Sequence, residues 1–223
     1  MSKKDFNVES FGALNLRTLN RFLVSCSRDH LIKLWDIETY KYIRIIEDHA
    51  DVFSINVLEN GHLISSSSDN KLKVWNPADG VCLKTIDLTD SALNFQVLSG
   101  NRVACESENQ IKIWNLTDDR CIQTLKGHTN SIQCILVLPD ETIMSGSHDK
   151  TIKMWNLNEN TCINTFHGHT NSVICLLLLK NGYMASGSAD KTIKIWNRTS
   201  GECSKTLHGH TDWVHALESM TDI

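Results

Sequence analysis

The chain has 223 residues, 41% of them hydrophobic and 22% charged, a composition that buries a core and is too apolar for a disordered polymer. Its 22 basic and 26 acidic residues leave a net charge of −4 with no basic run, which disfavours nucleic-acid binding, because counterion release needs clustered positive charge. The longest apolar run, 173–179, has seven residues against about 20 for a membrane helix, so no membrane insertion is expected.

Residues 1–9 read as a lead-in. Met1-Ser2-Lys3-Lys4-Asp5 is followed by no apolar stretch, which predicts no secretory signal and an intracellular protein, in cytoplasm or nucleus. From 10 to 223 the sequence repeats, with Trp at 35, 75, 114, 155 and 196, at intervals of 40, 39, 41 and 41. The first unit carries VSCSRD at 24–29 and LIKLWD at 31–36. The second carries ISSSSD at 64–69, KLKVWN at 71–76 and CLKTI at 82–86. The third has VACESE at 103–108, QIKIWN at 110–115 and CIQTL at 121–125. The fourth has MSGSHD at 144–149, TIKMWN at 151–156 and CINTF at 162–166. The fifth has ASGSAD at 185–190, TIKIWN at 192–197 and CSKTL at 203–207, and a partial sixth unit fills 210–223. Self-similarity near 40 residues marks a repeat architecture.

Within a unit the pattern is all strand. TIKIW alternates apolar and polar residues with period two, and turn signals such as Glu59-Asn60-Gly61 and Lys180-Asn181-Gly182 separate the runs. Four antiparallel strands per unit follow, at 172–178, 183–186, 192–196 and 202–207 in the fifth. The eight cysteines include no C-x-x-C pair. Cys82, Cys121, Cys162 and Cys203 keep the repeat's phase, as do Cys134 and Cys175, which reads as reduced cysteines filling one buried pocket in successive units.

Gly-His at 127–128, 168–169 and 209–210, the Ser-Asp turns that follow, and Trp35-Asp36 with its four Trp-Asn counterparts together resemble WD-repeat β-propellers over about residues 10–223. The resemblance implies an all-β propeller of five four-stranded blades plus the first strand of a sixth, at 213–219. The next Trp would fall near 237, beyond Ile223, so the ring is expected to be incomplete or open and the chain a piece of a longer protein.

The resemblance also implies a hydrogen-bonded tetrad in each blade: His128, Ser145, Asp149 and Trp155 in the fourth, His169, Ser186, Asp190 and Trp196 in the fifth, His49, Ser65, Asp69 and Trp75 in the second. Buried, each of these polar groups needs a partner, and one closed network supplies all of them. Blade one keeps Ser25, Asp29 and Trp35 with Glu9 near the histidine position. Blade three has Leu88, Ala104 and Glu108 instead. A set that recurs at fixed phase argues against a hydrolase triad, which needs one site. His167-x-His169 and His208-x-His210 lack a third recurring ligand, so no catalytic residue, metal or cofactor is assigned.

The expected function is a non-catalytic scaffold that presents a propeller rim to proteins or peptides, with no small-molecule substrate evident. By resemblance, the rim positions before the turn aspartate are Arg28, Ser68, Ser107, His148 and Ala189. Those at the starts of the innermost strands are Val52, Ser54, Ser131, Gln133, Ser172, Ile174, Trp213 and His215. A substrate-recruiting subunit of a ubiquitin ligase and a G-protein-beta-like signalling adaptor are alternatives, and a propeller enzyme is a remote one.

Overall fold

Each Trp-bearing phrase forms the third strand of a four-stranded antiparallel meander. A computed structural model describes the backbone of residues 15–19, 22–90, 92 and 94–219, with side chains from Phe22 onward. The first sheet is β1 (Asn15–Leu19), β2 (Phe22–Cys26), β3 (Leu31–Asp36) and β4 (Lys41–Glu47). The second is β5 (Val52–Val57), β6 (Leu63–Ser67), β7 (Lys71–Trp75) and β8 (Cys82–Asp87). The third is β9 (Phe95–Leu98), β10 (Arg102–Ser107), β11 (Gln110–Asn115) and β12 (Arg120–Lys126). The fourth is β13 (Ile132–Val137), β14 (Ile143–Ser147), β15 (Ile152–Asn156) and β16 (Thr161–Phe166). The fifth is β17 (Val173–Leu178), β18 (Met184–Ser188), β19 (Ile193–Trp196) and β20 (Cys203–Leu207).

The chain divides into two compact units, Met1–Asn94 and Phe95–Ile223. In the first, Val24, Cys26, Ile32, Leu34 and Ile46 of one sheet meet Val52, Ile55, Leu63 and Trp75 of the next in one apolar cluster. In the second, Ala104, Ile111, Ile113 and Leu125 of the third sheet meet Ile132, Ile135, Ile143 and Trp155 of the fourth. Met144, Ile152 and Phe166 of the fourth then meet Val173, Met184 and Trp196 of the fifth. Face-to-face burial of this kind covers surfaces that a lone sheet would leave in water.

Two irregularities recur. The pairing of the third strand with the fourth slips just before every anchor tryptophan, at Leu34/Trp35, Val74/Trp75, Ile113/Trp114, Met154/Trp155 and Ile195/Trp196. The extra residue turns outward, which is why Ile43, Leu83, Ile122 and Ile163 are exposed. A second slip, between β5 and β6, β13 and β14, and β17 and β18, leaves Phe53, Gln133 and Ile174 as the additional residue. Opposite it, Gly146 leaves no room for a side chain: a Cβ there would stand 2.6 Å from Val173 Cγ1 and 2.7 Å from Cys134 Sγ. Gly187 is closed in the same way by Cys175 Sγ and Val214 Cγ1.

Two expectations are corrected. Cys82, Cys121, Cys162 and Cys203 are exposed rather than core residues, because they open the outermost strands, where each thiol donates to a carbonyl two residues on and faces a threonine hydroxyl. Cys26 and Cys105 are the buried ones. Residues 213–219 form no strand, because no ladder partner lies beside them among the described residues. Val214 alone is seated: its N–H donates to Ser188 O at 3.1 Å, its carbonyl faces Cys175 Sγ, and it is 4% exposed.

Candidate functional site

The second and third strands of the fourth sheet are joined by the turn 148–150, with Lys150 in the left-handed region at φ 71°. Asp149 organises that turn, accepting Thr151 N–H at 2.9 Å and Thr151 Oγ1–H at 2.6 Å on one oxygen. Its other oxygen lies 2.7 Å from His128 Nδ1 and 3.0 Å from Thr129 N. His128 Nε2 lies 2.8 Å from Ser145 Oγ, which also accepts Trp155 Nε1–H at 2.8 Å. The fifth sheet repeats this chain with Asp190–His169 at 2.7 Å, His169–Ser186 at 2.7 Å and Trp196–Ser186 at 2.8 Å.

A neutral imidazole satisfies every member. Nδ1–H donates to the aspartate, Nε2 accepts the serine O–H, and the serine oxygen is left to accept the indole N–H. Burial accordingly pushes His128 and His169 below the ordinary histidine value, against the pull of their aspartates. Burial works the other way on Asp149, but hydrogen bonds from Thr151, His128 and Thr129 outweigh it and hold the carboxyl at about 2. Asp190 is lowered by the same opposition. The connectivity is that of a Ser-His-Asp triad, yet Ser145 and Ser186 are 0% exposed and each oxygen is engaged by an indole.

These shifts set a pH dependence. The folded histidines stay neutral where unfolded ones, with the ordinary value of 6.5, take up protons. Stability therefore begins to fall as pH drops below about 6.5. The depressed aspartates add a second loss below 3.8, as acid reaches carboxylates whose ionised form the fold prefers. Urea midpoints at pH 7.5, 5.5 and 4 should decrease in that order; a midpoint that rises on acidification would contradict the assigned tautomer.

The second sheet departs from this design. Trp75 Nε1–H donates to Ser65 Oγ at 2.9 Å, but His49 is exposed and takes no part, which corrects the expected tetrad. Its place is filled by an ion cluster. Lys73 Nζ donates to Asp48 Oδ1 and, at 3.0 Å, to Asp69 Oδ2, while Ser67 Oγ donates to Asp69 Oδ1 at 2.6 Å. The cause is residue 48, which stands where the fourth and fifth sheets have glycine. Gly127 and Gly168 bring the chain so close over the indoles that a Cβ would meet Trp155 or Trp196 Cη2 at 3.2 Å. Asp48 cannot approach as closely, so His49 is held outside. Burial works against the Lys73 charge, but Asp48 and Asp69 outweigh it and raise its pKa. Lys33, Lys73, Lys112, Lys153 and Lys194 keep one phase two residues before each tryptophan, the signal that could have singled this side chain out.

In the first sheet Trp35 Nε1–H donates to Ser25 Oγ at 2.8 Å and Asp29 pairs with Lys33; Glu9 lies outside the described residues. In the third sheet Ala104 offers Trp114 no hydroxyl, Leu88 is half-buried, and the turn is reduced to Glu108 and Asn109 between Ser107 and Gln110.

Five of the thirteen rim positions are corrected, because they are buried. Val52 belongs to the core cluster, Ser54 and Ser107 lie within strands, Ala189 is 5% exposed, and Ser172 is held by His148 Nδ1. Ser131, Gln133 and Ile174 are half-buried. Arg28, Ser68, His148, Trp213 and His215 are exposed. Trp213 and His215 form a ring pair with centroids 5.8 Å apart. A cleft of about 350 Å³ lined by Pro139, Leu178, Leu179 and Arg198 contains none of the expected residues. Among the described residues no three His, Cys, Asp or Glu side chains gather as a metal would require, and no helix is long and apolar enough to cross a membrane.

A family model described as WD domain, G-beta repeat matches residues 14–36, 40–76, 119–156 and 160–197, more than half of the chain. Similar curated proteins include the nuclear distribution protein nudF of Aspergillus flavus and that of Aspergillus oryzae, each 37% identical over 68 residues. The nuclear distribution protein nudF 1 of Talaromyces marneffei is 39% identical over 67 residues. Each match covers 29% of this chain and 15% of the relative.

Proposed function

The chain belongs to the WD-repeat family, and we propose that it is a non-catalytic scaffold that binds proteins or peptides through the turns joining its second and third strands. One observation carries this reading. Arg28, Ser68 and His148 occupy the same place in their respective sheets, exposed directly before the turn aspartate, so variable side chains stand on repeated, internally bonded supports. Loops held by a rigid scaffold are where recognition concentrates. Trp213 extends the exposed set, and Trp and Arg dominate interface hot spots. The four exposed thiols suit a reducing, intracellular compartment. The likeness to nudF proteins covers a small share of their length, so the role in their name stays with them.

Proximity labelling with the full chain tests the proposal. Arg28→Ala, His148→Ala and Trp213→Ala should each remove a defined subset of neighbours, the first and the last while leaving the melting temperature unchanged. An identical neighbour set for all three variants and the parent would refute it. Which assembly the protein joins, a ubiquitin ligase or a G-protein-like signalling complex among them, would be read from the proteins lost.

A further inference from the structure

The seam between the third and fourth sheets is closed at one end by the chain's own carboxylate. Glu141, in the turn joining β13 and β14, accepts the Ser99 hydroxyl, Ser99 N–H at 3.2 Å and Arg102 Nη2–H at 2.8 Å. Ser99 lies in the turn joining β9 and β10, and Arg102 opens β10. One side chain thus ties two neighbouring sheets through charge-assisted hydrogen bonds.

The next seam, between the fourth and fifth sheets, has the same turns and none of these groups. Glu141 N–H donates to Leu138 O and Gly182 N–H to Leu179 O, both at 2.9 Å, so Gly182 stands in the place of Glu141. The paired strands that follow put Pro139 where Ser99 stands and Thr142 where Arg102 stands. Glycine brings no carboxylate, proline neither N–H nor hydroxyl, and threonine no guanidinium. The cleft of about 350 Å³ opens in this vacated place, with Pro139 and Gly182 in its wall. A Cβ on Gly182 would meet nothing within 4 Å. Both sheets that bound the cleft are complete in four strands.

Its wall is also cationic. Arg198 follows Trp196-Asn197, whereas Leu116 and Leu157 follow the same dipeptide in the third and fourth sheets and are 4% and 9% exposed. Arg198 is half-buried and Lys180, which also lines the cleft, is exposed; neither side chain makes a hydrogen bond or ion pair among the described residues. A guanidinium in that setting has given up hydration without a partner to replace it. Asp140 is the acidic member of the lining, and its Oδ1 accepts Thr142 N–H at 3.1 Å. Burial works against its charge, but hydrogen bonds from Thr142, with help from Arg198, hold the carboxyl below its ordinary value. Two cations therefore face one anion already engaged by Thr142, beside the apolar surface of Leu178 and Pro139.

We propose that this cleft binds an acidic peptide of a partner protein, with an aspartate or glutamate side chain on Arg198 and Lys180 and an adjacent aliphatic residue on Leu178 and Pro139. The occupant is a carboxylate because that is the group the chain itself supplies in the preceding seam, where an arginine binds it. It is a peptide because the apolar wall calls for an aliphatic neighbour that a free anion does not bring. The site lies at the opposite end of the second strands from the turns that carry Arg28, Ser68 and His148, and so goes beyond the surface proposed above.

Fluorescence anisotropy on the full chain tests this, with labelled peptides in which Glu or Asp precedes Leu or Ile at several spacings. Binders should emerge that weaken about tenfold when Gln or Asn replaces the acid. Arg198→Ala should weaken the best peptide about tenfold and Lys180→Ala less, whereas Asp140→Asn should tighten it, a gain that a merely structural role would not give. Gly182→Glu places a carboxylate in the cleft and should exclude the peptide; the same turn holds Glu141 at φ 61°, so the backbone accepts it. If that variant does not fold, Arg198→Ala decides alone. Arg28→Ala should leave the affinity unchanged, which separates this site from the turn surface. A peptide set without binders, amides that bind as well as acids, or an affinity that responds to Arg28 and not to Arg198 would each overturn the proposal. Tighter capture of a single-stranded oligonucleotide than of any peptide would assign the cations to phosphate and overturn it as well.

Discussion

Replacing Ser145 by alanine is expected to cost about 2–6 kcal/mol of stability, because it strands two buried partners at about 1–3 kcal/mol each. The Trp155 indole N–H loses its acceptor and His128 Nε2 its donor, in side chains only 1% and 3% exposed. Asp149 is affected at one remove, since the imidazole that bonds it is no longer held at its other nitrogen. The third sheet shows how the chain lives without the serine: Ala104 stands in its place, and there Leu88 falls near the position that a histidine fills elsewhere. Ser145→Ala combined with His128→Leu copies that solution and should be milder than Ser145→Ala alone, despite deleting more hydrogen bonds. Urea unfolding followed by tryptophan fluorescence, with hydrogen exchange on β14 and β15, measures both. A loss below about 0.5 kcal/mol for the single variant would mean that the network contributes no more than an ordinary surface contact.

The period of the tryptophans made the five sheets legible, because alternation with period two admits only strands and each turn is marked by its own residues. The polar chains in the fourth and fifth sheets were expected from the resemblance to WD repeats rather than from the period itself. Three features were not. The outward cysteines share their phase with core positions, and phase alone does not distinguish the outermost strand from an inner one. The slip before each tryptophan moves one residue out of alternation, and no residue type marks it. Residues 213–219 have strand composition, but a strand is made by its ladder partner, and Val214 is held instead by Ser188 and Gly187. The rim positions failed in both sets. Arg28, Ser68 and His148 project outward before their turns while Ser107 and Ala189 at the same place are buried, and Val52, Ser54 and Ser172 are drawn inward while Trp213 and His215 are exposed.

The second sheet gives the sharpest test of how one residue selects between two polar designs. Lys73→Met should cost about 3–5 kcal/mol, the loss expected when a buried ion pair is broken from one side. The Asp48 side chain is 0% exposed, and the methionine would leave its charge unpaired in that setting. Asp69 keeps its hydrogen bond from Ser67, so most of the loss belongs to Asp48. Asp48→Gly should behave oppositely and cost no more than about 1 kcal/mol, since it removes the buried anion and restores the close approach over the indole that glycine allows. His49 can then enter the slot between Ser65 and Asp69. Lys73 is released toward Thr85, its register partner, as Lys153 bonds Thr165 at 2.9 Å and Lys194 bonds Thr206 at 2.9 Å. The two outcomes separate in a denaturant titration, and the rearrangement has its own signature: His49, exposed in the parent, should become protected from diethylpyrocarbonate in Asp48→Gly. If His49 stays reactive while the variant remains stable, residue 48 does not hold the histidine outside, and the ion cluster would have to be a response to some other constraint in this sheet.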